Sequence, residues 1–347
     1  MSMSTHSDEK GHSSRAGGDH RKATNSLAQA YCSSASSNVG LAWQAVTALP
    51  NWYRNLKATN PQSADRPDEI KTYRSRPSLS VRIFYPASYP QHGSSQKLPT
   101  LFTVHDNGHS SADNNEWNRY FANTHGCLVI SLDYAKSLGD PLAPAYDLQT
   151  LFSELCADES IPINDRLSDE WDTSRTAILG FGTGANLALT FSQLEGIRRH
   201  SLCPAAAVSI NGRFEYSDSG YADPNSEIFR DPPFNASIAA PENLPPYVCC
   251  IVARVDNWSH EAWNLVERIS KQHVLQRERE TSFEEMWDGG GLKWQTVPGL
   301  SNGFDHRRSL GENGPSVDEN SFRSTESHTR EYVDDLGRWL KQVVWRT

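Results

Sequence analysis

The sequence lacks both a long apolar run and an excess of positive charge. None of its apolar stretches approaches the roughly 20 residues that span a bilayer, and its first 25 residues carry no hydrophobic core of a secretion signal. Its 347 residues include 33 lysines and arginines against 42 aspartates and glutamates, a net charge of −9. This balance argues against a nucleic-acid or anionic-membrane surface. We therefore predict a cytoplasmic protein whose partner is a small molecule or another protein.

Cysteine is also scarce, and the spacing of the six cysteines argues against two common kinds of site. No pair has the C-x-x-C spacing of zinc sites and redox motifs, and most lie within apolar strand or helix patterns. Such thiols are typically buried and reduced in cytosolic proteins. We expect neither a disulfide framework nor a metal site, and no cofactor. The cysteines are Cys32, Cys127, Cys156, Cys203, Cys249 and Cys250.

Composition divides the chain into a polar N-terminal segment and one large domain. Residues 1–25 are almost free of apolar side chains, which predicts a disordered tail. Between residues 26 and 58, apolar side chains recur near the helical period, which predicts one or two helices. The total length suits a single large α/β domain with a full core, so we expect one domain over residues 26–347.

Short apolar segments alternate with helical segments from residue 70 onward. Continuous apolar strands are typical of a parallel sheet that is covered on both faces, so we predict an α/β fold with a mostly parallel central sheet. In such sheets the working groups gather at the carboxyl ends of the strands. The predicted strands are Ile70–Arg76, Leu79–Tyr85, Leu98–His105, Gly126–Leu132, Thr176–Phe181, Ala205–Ile210, Tyr247–Ala253 and Lys293–Val297. Besides the helix after the Thr176–Phe181 strand, helices are predicted through Trp117–Phe121 and over Ala145–Ala157, Glu261–His273 and Thr329–Trp345.

A glycine-rich turn joins the strand that ends at Phe181 to the helix that follows it. The run Gly180-Phe-Gly-Thr-Gly184 has the spacing of the G-x-S-x-G nucleophile elbow, in which the central serine stands above the sheet. Gly182 takes the serine position here. Glycine adopts strained elbow angles freely, so the turn keeps its shape without a nucleophile. The backbone N–H of Thr183 still offers a place for negative charge, although a turn that never held chemistry would explain the same residues.

Four further segments around this turn carry a family resemblance. Together they resemble the hormone-sensitive-lipase-like carboxylesterases of the α/β-hydrolase superfamily, in the family's order. The resemblance implies the α/β-hydrolase fold, with the helices of residues 26–58 as a cap over the pocket. The four segments are His105-Asp-Asn-Gly108, Leu132-Asp-Tyr134, Val255 to Ala262 and Val297 to Phe304, and the elbow itself lies in the segment Asp172 to Ala188.

The departures from the family pattern fall on the catalytic triad. The resemblance assigns Asp256 to the triad acid, but Gly182 replaces the nucleophile and Asn302 replaces the base. An amide does not shuttle protons, so covalent hydrolysis by the triad mechanism is expected to be lost. Thr183 is one position out of register for a nucleophile. His306, four residues after Asn302, is better explained as an exposed loop histidine.

Other side chains near the turn are candidates for chemistry or binding. Asp106 replaces the first glycine of the oxyanion loop, and an aspartate in an apolar pocket can act as acid or base. His109 is a candidate for proton transfer near neutral pH, and Asp256 is a third candidate. Structural roles compete with each of these: a loop cap for Asp106, a solvent-facing position for His109 and a helix N-cap for Asp256.

The remaining groups of the candidate site are backbone donors and a structural histidine. Asn107, Gly108 and the Thr183 N–H are expected to bind an oxyanion or a ligand. We expect His105 to brace the oxyanion loop by hydrogen bonds. No group in this set suggests a bound metal.

Three functions fit this reading of the residues. The favoured one is a non-hydrolytic enzyme that cyclises, dehydrates or isomerises a small specialised metabolite. The second is a small-molecule receptor, and the third is an esterase with an unrecognised nucleophile. Aromatic residues near the expected pocket suit a small apolar or aromatic ligand, and a homodimer is left open. These aromatic residues are Trp117, Tyr120, Phe214, Tyr216 and Trp258.

Overall fold

The structure is a computed structural model, and its description covers most of the chain after residue 63. The predicted tail over residues 1–25 and the predicted cap helices over residues 26–58 lie outside the described residues, so they remain predictions. The described ranges are 64–90, 96–106, 111–135, 142–163, 175–214, 236–256, 258–270, 278–301 and 330–347.

Nine strands of the described residues form one sheet, and its interior is parallel. The order across the sheet is β1-β2-β4-β3-β5-β6-β7-β9-β8. Strands from β4 across to β9 pair in parallel, whereas β1, β2 and β8 pair antiparallel at the two edges. The strands are β1 Glu69–Tyr73, β2 Arg76–Phe84, β3 Thr100–Val104, β4 Leu128–Leu132, β5 Thr176–Phe181, β6 Ala206–Ile210, β7 Tyr247–Val255, β8 Phe283–Trp287 and β9 Gly290–Ser301.

Helices cover both faces of this sheet, as the continuous apolar strands predict. Every residue of β3 is buried, and its side chains alternate between two apolar clusters, with Phe102 in one and Leu101 in the other. The Phe102 cluster includes side chains of α2, α3 and α5, and the Leu101 cluster includes side chains of α1 and α6. The helices are α1 Asn115–His125, α2 Ala143–Ala157, α3 Thr183–Gln193, α4 Glu195–Arg198, α5 Ser259–Ile269 and α6 over 330–339, which continues as the π-helix Leu340–Trp345.

Strand β8 is the element that the sequence prediction missed. It pairs antiparallel with β9 at the sheet edge, and Glu284 and Met286 are exposed while Glu285 is buried, so it lacks the continuous apolar run of the interior strands. The connection from β8 to β9 consists of Asp288 and Gly289, and Gly289 has a φ of 77°. Asp-Gly is a strong signal for a two-residue hairpin, and it could have revealed this strand.

The cysteines of the described residues are free thiols, as predicted. They comprise three buried thiols, Cys127, Cys249 and Cys250, and two half-buried ones, Cys156 and Cys203. Cys32 lies outside the described ranges. None of the helices within the described part of the chain has the length and apolarity needed to cross a membrane.

Candidate functional site

The elbow between β5 and α3 is built on a glycine with a positive φ. Strand β5 ends at Phe181, helix α3 begins at Thr183, and Gly182 between them has a φ of 55° and a ψ of −119°. A residue with a side chain would be strained there, whereas glycine adopts such angles readily. The Gly182 N–H donates to the carbonyl of Ile210 at 2.9 Å, which joins the turn to the end of β6.

Two further glycines allow the backbone to pack closely around the elbow. A Cβ on Gly184 would lie 2.3 Å from the carbonyl oxygen of His105, and a Cβ on Gly180 would lie 2.1 Å from the carbonyl oxygen of Gly184. Both contacts are to backbone atoms, which have little freedom to move. The start of α3 therefore packs directly against the end of β3 and against His105, the next residue in the chain.

The Asp106 side chain lies directly over Gly182. Its Oδ1 accepts the Thr183 N–H at 3.0 Å and the Thr183 hydroxyl at 2.5 Å. A Cβ on Gly182 would be only 2.7 Å from Cγ of Asp106 and 2.9 Å from both carboxylate oxygens. The carboxylate therefore fills the space that a nucleophilic side chain at the elbow would need.

His105 holds the start of this loop against the end of β4. Its Nδ1 lies 2.9 Å from the carbonyl oxygen of Asp106, and its Nε2 lies 3.0 Å from Oδ1 of Asp133. The ring stacks on Tyr134 with a centroid separation of 4.4 Å, and the Tyr134 hydroxyl donates to the His105 carbonyl at 3.0 Å. His105 thus has the bracing contacts that the resemblance implies, and they fix the direction in which Asp106 leaves the strand.

Asp256 lies just beyond the carboxyl end of β7, before helix α5. Its Oδ1 accepts the Trp258 N–H at 3.0 Å, and its Oδ2 is buried without a hydrogen-bond partner among the described residues. The N-cap residue of α5 is Trp258, two residues after Asp256, so the alternative of Asp256 as the N-cap is wrong, and the carboxylate closes an Asx turn instead. Burial raises the pKa of Asp256, although the Trp258 N–H and the charge of Arg213 act in the opposite direction.

Arg213 is a site residue that the sequence analysis did not identify. It follows β6 through Asn211 and Gly212, and its backbone N–H donates to the Gly182 carbonyl at 3.2 Å. Its guanidinium lies over the Trp258 ring, with Cζ 3.9 Å from the ring centroid. The available signal was a cation just beyond the carboxyl end of an interior strand, which is where ligands bind in such sheets.

Comparison with known proteins identifies similar solved structures. An esterase of Pyrobaculum calidifontis has a TM-score of 0.52 at 16% identity over 94% of this chain and 98% of its own. Carboxyl esterase 2 of the fungus Tuber melanosporum has a TM-score of 0.56 at 14% identity over 82% and 90% of the two chains. Brefeldin A esterase, a bacterial homologue of human hormone-sensitive lipase, has a TM-score of 0.59 at 16% identity over 88% and 86%.

The protein has the α/β-hydrolase fold. No known family profile matches the chain, and no curated protein matches it either. The likeness therefore lies in the three-dimensional structure, and at these identities it establishes the fold alone.

In the α/β-hydrolase fold the strand-to-helix elbow carries the nucleophile, and the N–H of the next residue contributes to the oxyanion hole. The corresponding positions here are Gly182 and Thr183. The structure brings Asp106, Gly182 and Thr183 into contact, and Arg213 and Trp258 connect this group to Asp256. The other predicted site residues, Asn107, Gly108, His109 and Asn302, lie outside the described residues, as does His306.

The aromatic residues expected near the pocket have different surroundings. Trp117 is buried against Phe121 and Phe181, and Phe214 is completely buried. Tyr120 donates its hydroxyl to Asp334 of α6. Of the described members of that set, Trp258 is the one with contacts to the site residues, and Tyr216 is outside the described ranges. Within the described part of the chain, no three His, Cys, Asp or Glu side chains are grouped to hold a metal ion.

Proposed function

We propose that this chain is a non-hydrolytic enzyme of the α/β-hydrolase fold that cyclises, dehydrates or isomerises a small metabolite without a covalent serine intermediate. The observation that supports this most directly is the Asp106 carboxylate over Gly182. One aspartate both fills the nucleophile's space and binds the donor that would otherwise serve an oxyanion.

Electrostatics gives the physical reason why this arrangement opposes ester cleavage. In acyl transfer, negative charge develops on the carbonyl oxygen, and backbone N–H groups at the elbow stabilise that charge. The Thr183 N–H is bound to Asp106 instead, at 3.0 Å. An ionised carboxylate at the same place repels a developing oxyanion, and this repulsion is strong where water is partly excluded. Together with the triad that the resemblance describes as degenerate, this favours a different reaction.

The same groups are suited to acid–base chemistry on a bound molecule. Asp106 offers a fixed proton acceptor at the elbow, because two bonds from Thr183 hold its Oδ1 in place. Asp256 offers a second carboxyl group, and burial raises its pKa so that it retains a proton at higher pH. We propose that Asp106 and Asp256 transfer protons with His109. Holding a substrate between such groups accelerates intramolecular steps without a nucleophile.

Two assays on the purified full chain test this proposal. The first follows the release of p-nitrophenol from short-chain esters, and we expect a rate equal to that of the Asp106→Ala variant and of buffer. The second incubates the chain with pools of biosynthetic intermediates and follows them by mass spectrometry. We expect a product of equal mass, or one that has lost a water molecule.

Variants assign the chemistry to the site once a substrate has been found. Asp106→Asn is expected to lower turnover by about 10²–10⁴-fold, the usual contribution of a proton-transferring side chain. Asp158→Asn, which changes a carboxylate on the loop after α2, is the matched control and should leave turnover unchanged. Ester hydrolysis that a single point variant abolishes would establish the esterase instead. A tightly bound molecule that is recovered unaltered would establish the receptor.

A further inference from the structure

Arg213 and Asp256 both contact Trp258, and each has hydrogen-bonding capacity that the described residues leave unused. The Arg213 guanidinium is half-buried and stacked on Trp258, and it forms no ion pair with any carboxylate of the described residues. Stacking uses the face of the guanidinium and leaves its in-plane N–H groups available. A guanidinium fixed in this way is prepared to bind a carboxylate with two parallel hydrogen bonds.

Asp256 provides the complementary group on the backbone of the same tryptophan. Its Oδ1 accepts the backbone N–H of Trp258, and only 8% of the residue is exposed to solvent. Its Oδ2 has no hydrogen-bond partner in the part of the chain that the structure describes. Leaving a buried carboxyl oxygen unpaired costs free energy, and a ligand with a suitable polar group would recover it. Trp258 thus holds a guanidinium against its ring and a carboxyl group against its backbone.

We infer that Arg213 and Asp256 bind a hydroxycarboxylic acid, with the ligand carboxylate on the Arg213 guanidinium and the ligand hydroxyl on Asp256 Oδ2. This inference rests on the proposed function and names the substrate class of that site. A hydroxyl suits Asp256 better than an ammonium does, because it donates to an ionised carboxyl group and accepts from a protonated one.

Three small probes separate the two contacts. Mandelate carries a carboxylate, a hydroxyl and an aromatic ring, its methyl ester lacks the carboxylate charge, and phenylacetate lacks the hydroxyl. Calorimetry or ligand-observed NMR on the full chain measures the affinity of each. We expect mandelate to bind about 10–100-fold more tightly than either analogue, the effect of one charge-assisted hydrogen bond. For molecules of this size we expect dissociation constants in the millimolar range.

Variants assign each preference to its residue. Arg213→Gln should weaken mandelate binding about 10–100-fold and leave the methyl ester unaffected. Arg213→Lys should recover part of the loss, because it keeps the charge without the planar fork. Asp256→Ala should remove the preference for mandelate over phenylacetate, and Asp256→Asn should keep the Trp258 contact. Thermal unfolding of every variant identifies any that fail to fold.

Each remaining outcome contradicts the inference in a distinct way. Equal affinity for mandelate and its methyl ester, or no saturable binding of mandelate up to about 20 mM, would overturn it. So would an unchanged preference in Asp256→Ala. These measurements require no turnover. Their outcome is therefore independent of the test of the proposed function, which depends on product formation and on the absence of ester hydrolysis.

Discussion

At the scale of single residues, Gly182 and Asp106 have to be considered as a pair. They are far apart in the sequence, yet the carboxylate of one lies within contact distance of any side chain added at the other. The sequence showed a missing nucleophile and an altered oxyanion loop as two separate departures from the family pattern. In the structure the two positions are in contact, and the Asp106 carboxylate occupies the space that a side chain at position 182 would need.

The variant Gly182→Ser tests this pairing. A serine needs a strained positive φ and displaces Asp106 from Thr183, so we expect the free energy of unfolding to fall by about 2–4 kcal/mol. Adding Asp106→Gly removes the collision. The double variant should therefore lose less stability than the two single variants lose together, with a coupling free energy of about 0.5–3 kcal/mol. Urea denaturation measures all three variants.

A control variant separates the collision from the backbone strain. Gly126 has a φ of 64° and a ψ of 36°, in the left-handed helical region, with nothing within 4 Å of an added Cβ, so Gly126→Ser measures the cost of a positive φ without a collision. Strict additivity between Gly182→Ser and Asp106→Gly would mean that the two side chains do not compete for the same space. Because the sequence resemblance assigns Asn302 to the position of the base, we expect neither Gly182→Ser nor the double variant to gain esterase activity.

A second residue-scale prediction concerns Asp256. Its folded pKa is raised by burial above the ordinary value of 3.8, so its stabilising contribution is present at low pH and lost as the pH rises through the folded pKa. Asp256→Asn should therefore be more stable than the natural chain at neutral pH, and the difference should vanish below pH 3.8. Urea unfolding over a pH series tests this, and an asparagine variant that is no more stable at neutral pH would contradict it.

Asp158 provides a control of opposite sign. Burial alone would raise its pKa, but hydrogen bonds from Lys71 and Ser160 outweigh burial and lower the pKa to about 2. Its contribution is therefore present above the ordinary value and lost as the pH falls toward 2. Asp158→Asn should be less stable than the natural chain at neutral pH, with the difference shrinking in acid.

At the scale of elements, the interior strands and the β1–β2 edge of the sheet could be predicted, whereas β8 at the opposite edge could not. Strands β3 to β7 are continuous apolar runs, because both faces of the interior sheet are buried. The elbow has a distinctive glycine spacing. Strand β8 faces solvent on one side, and its antiparallel pairing with β9 holds it in the sheet. Its composition alone carries a weaker signal than that of the interior strands, and the Asp-Gly turn was the clue that remained.

Close backbone packing at the start of α3 leads to an element-scale prediction. Gly184→Ala places a Cβ against the carbonyl oxygens of Val104 and His105, so α3 must shift away from β3. We expect a loss of about 1–3 kcal/mol in the free energy of unfolding. The matched control is Gly196→Ala in α4, where the added Cβ meets the mobile end of the Gln149 side chain. That variant should be neutral or slightly stabilised, because alanine is the better helix former. Equal effects would argue against the close contact.

At the scale of the whole molecule, the thiols report on the integrity of the core. Cys249 and Cys250 lie within β7, and burial raises the pKa of Cys250 to about 12. We expect iodoacetamide at pH 8 to leave both unmodified in the folded chain and to label them in denaturant, since the thiolate is the reactive form. Peptide mass spectrometry measures the modification at each cysteine. Labelling at equal rates in the two states would contradict the buried positions.

The fold as a whole was predictable from the sequence, and the site was predictable only in part. Motif order indicated which loops meet at the carboxyl edge, so Asp106, Thr183 and Asp256 were identified as candidates. The contact between Asp106 and Thr183 depends on how His105 and Asp133 orient the loop, which no local pattern encodes. Arg213 escaped notice because its position follows from the elbow and from Trp258, both distant in the sequence.

The collision between Asp106 and any side chain at position 182 has a historical consequence. If the chain descends from a serine esterase, the serine at position 182 was lost before aspartate appeared at position 106, since the reverse order would have produced a poorly folding ancestor. Once Asp106 was fixed, it blocked the return of any side chain at position 182. A laboratory attempt to restore hydrolysis would therefore have to replace Asp106 before or together with Gly182, and would also have to supply the base that the resemblance finds replaced at Asn302.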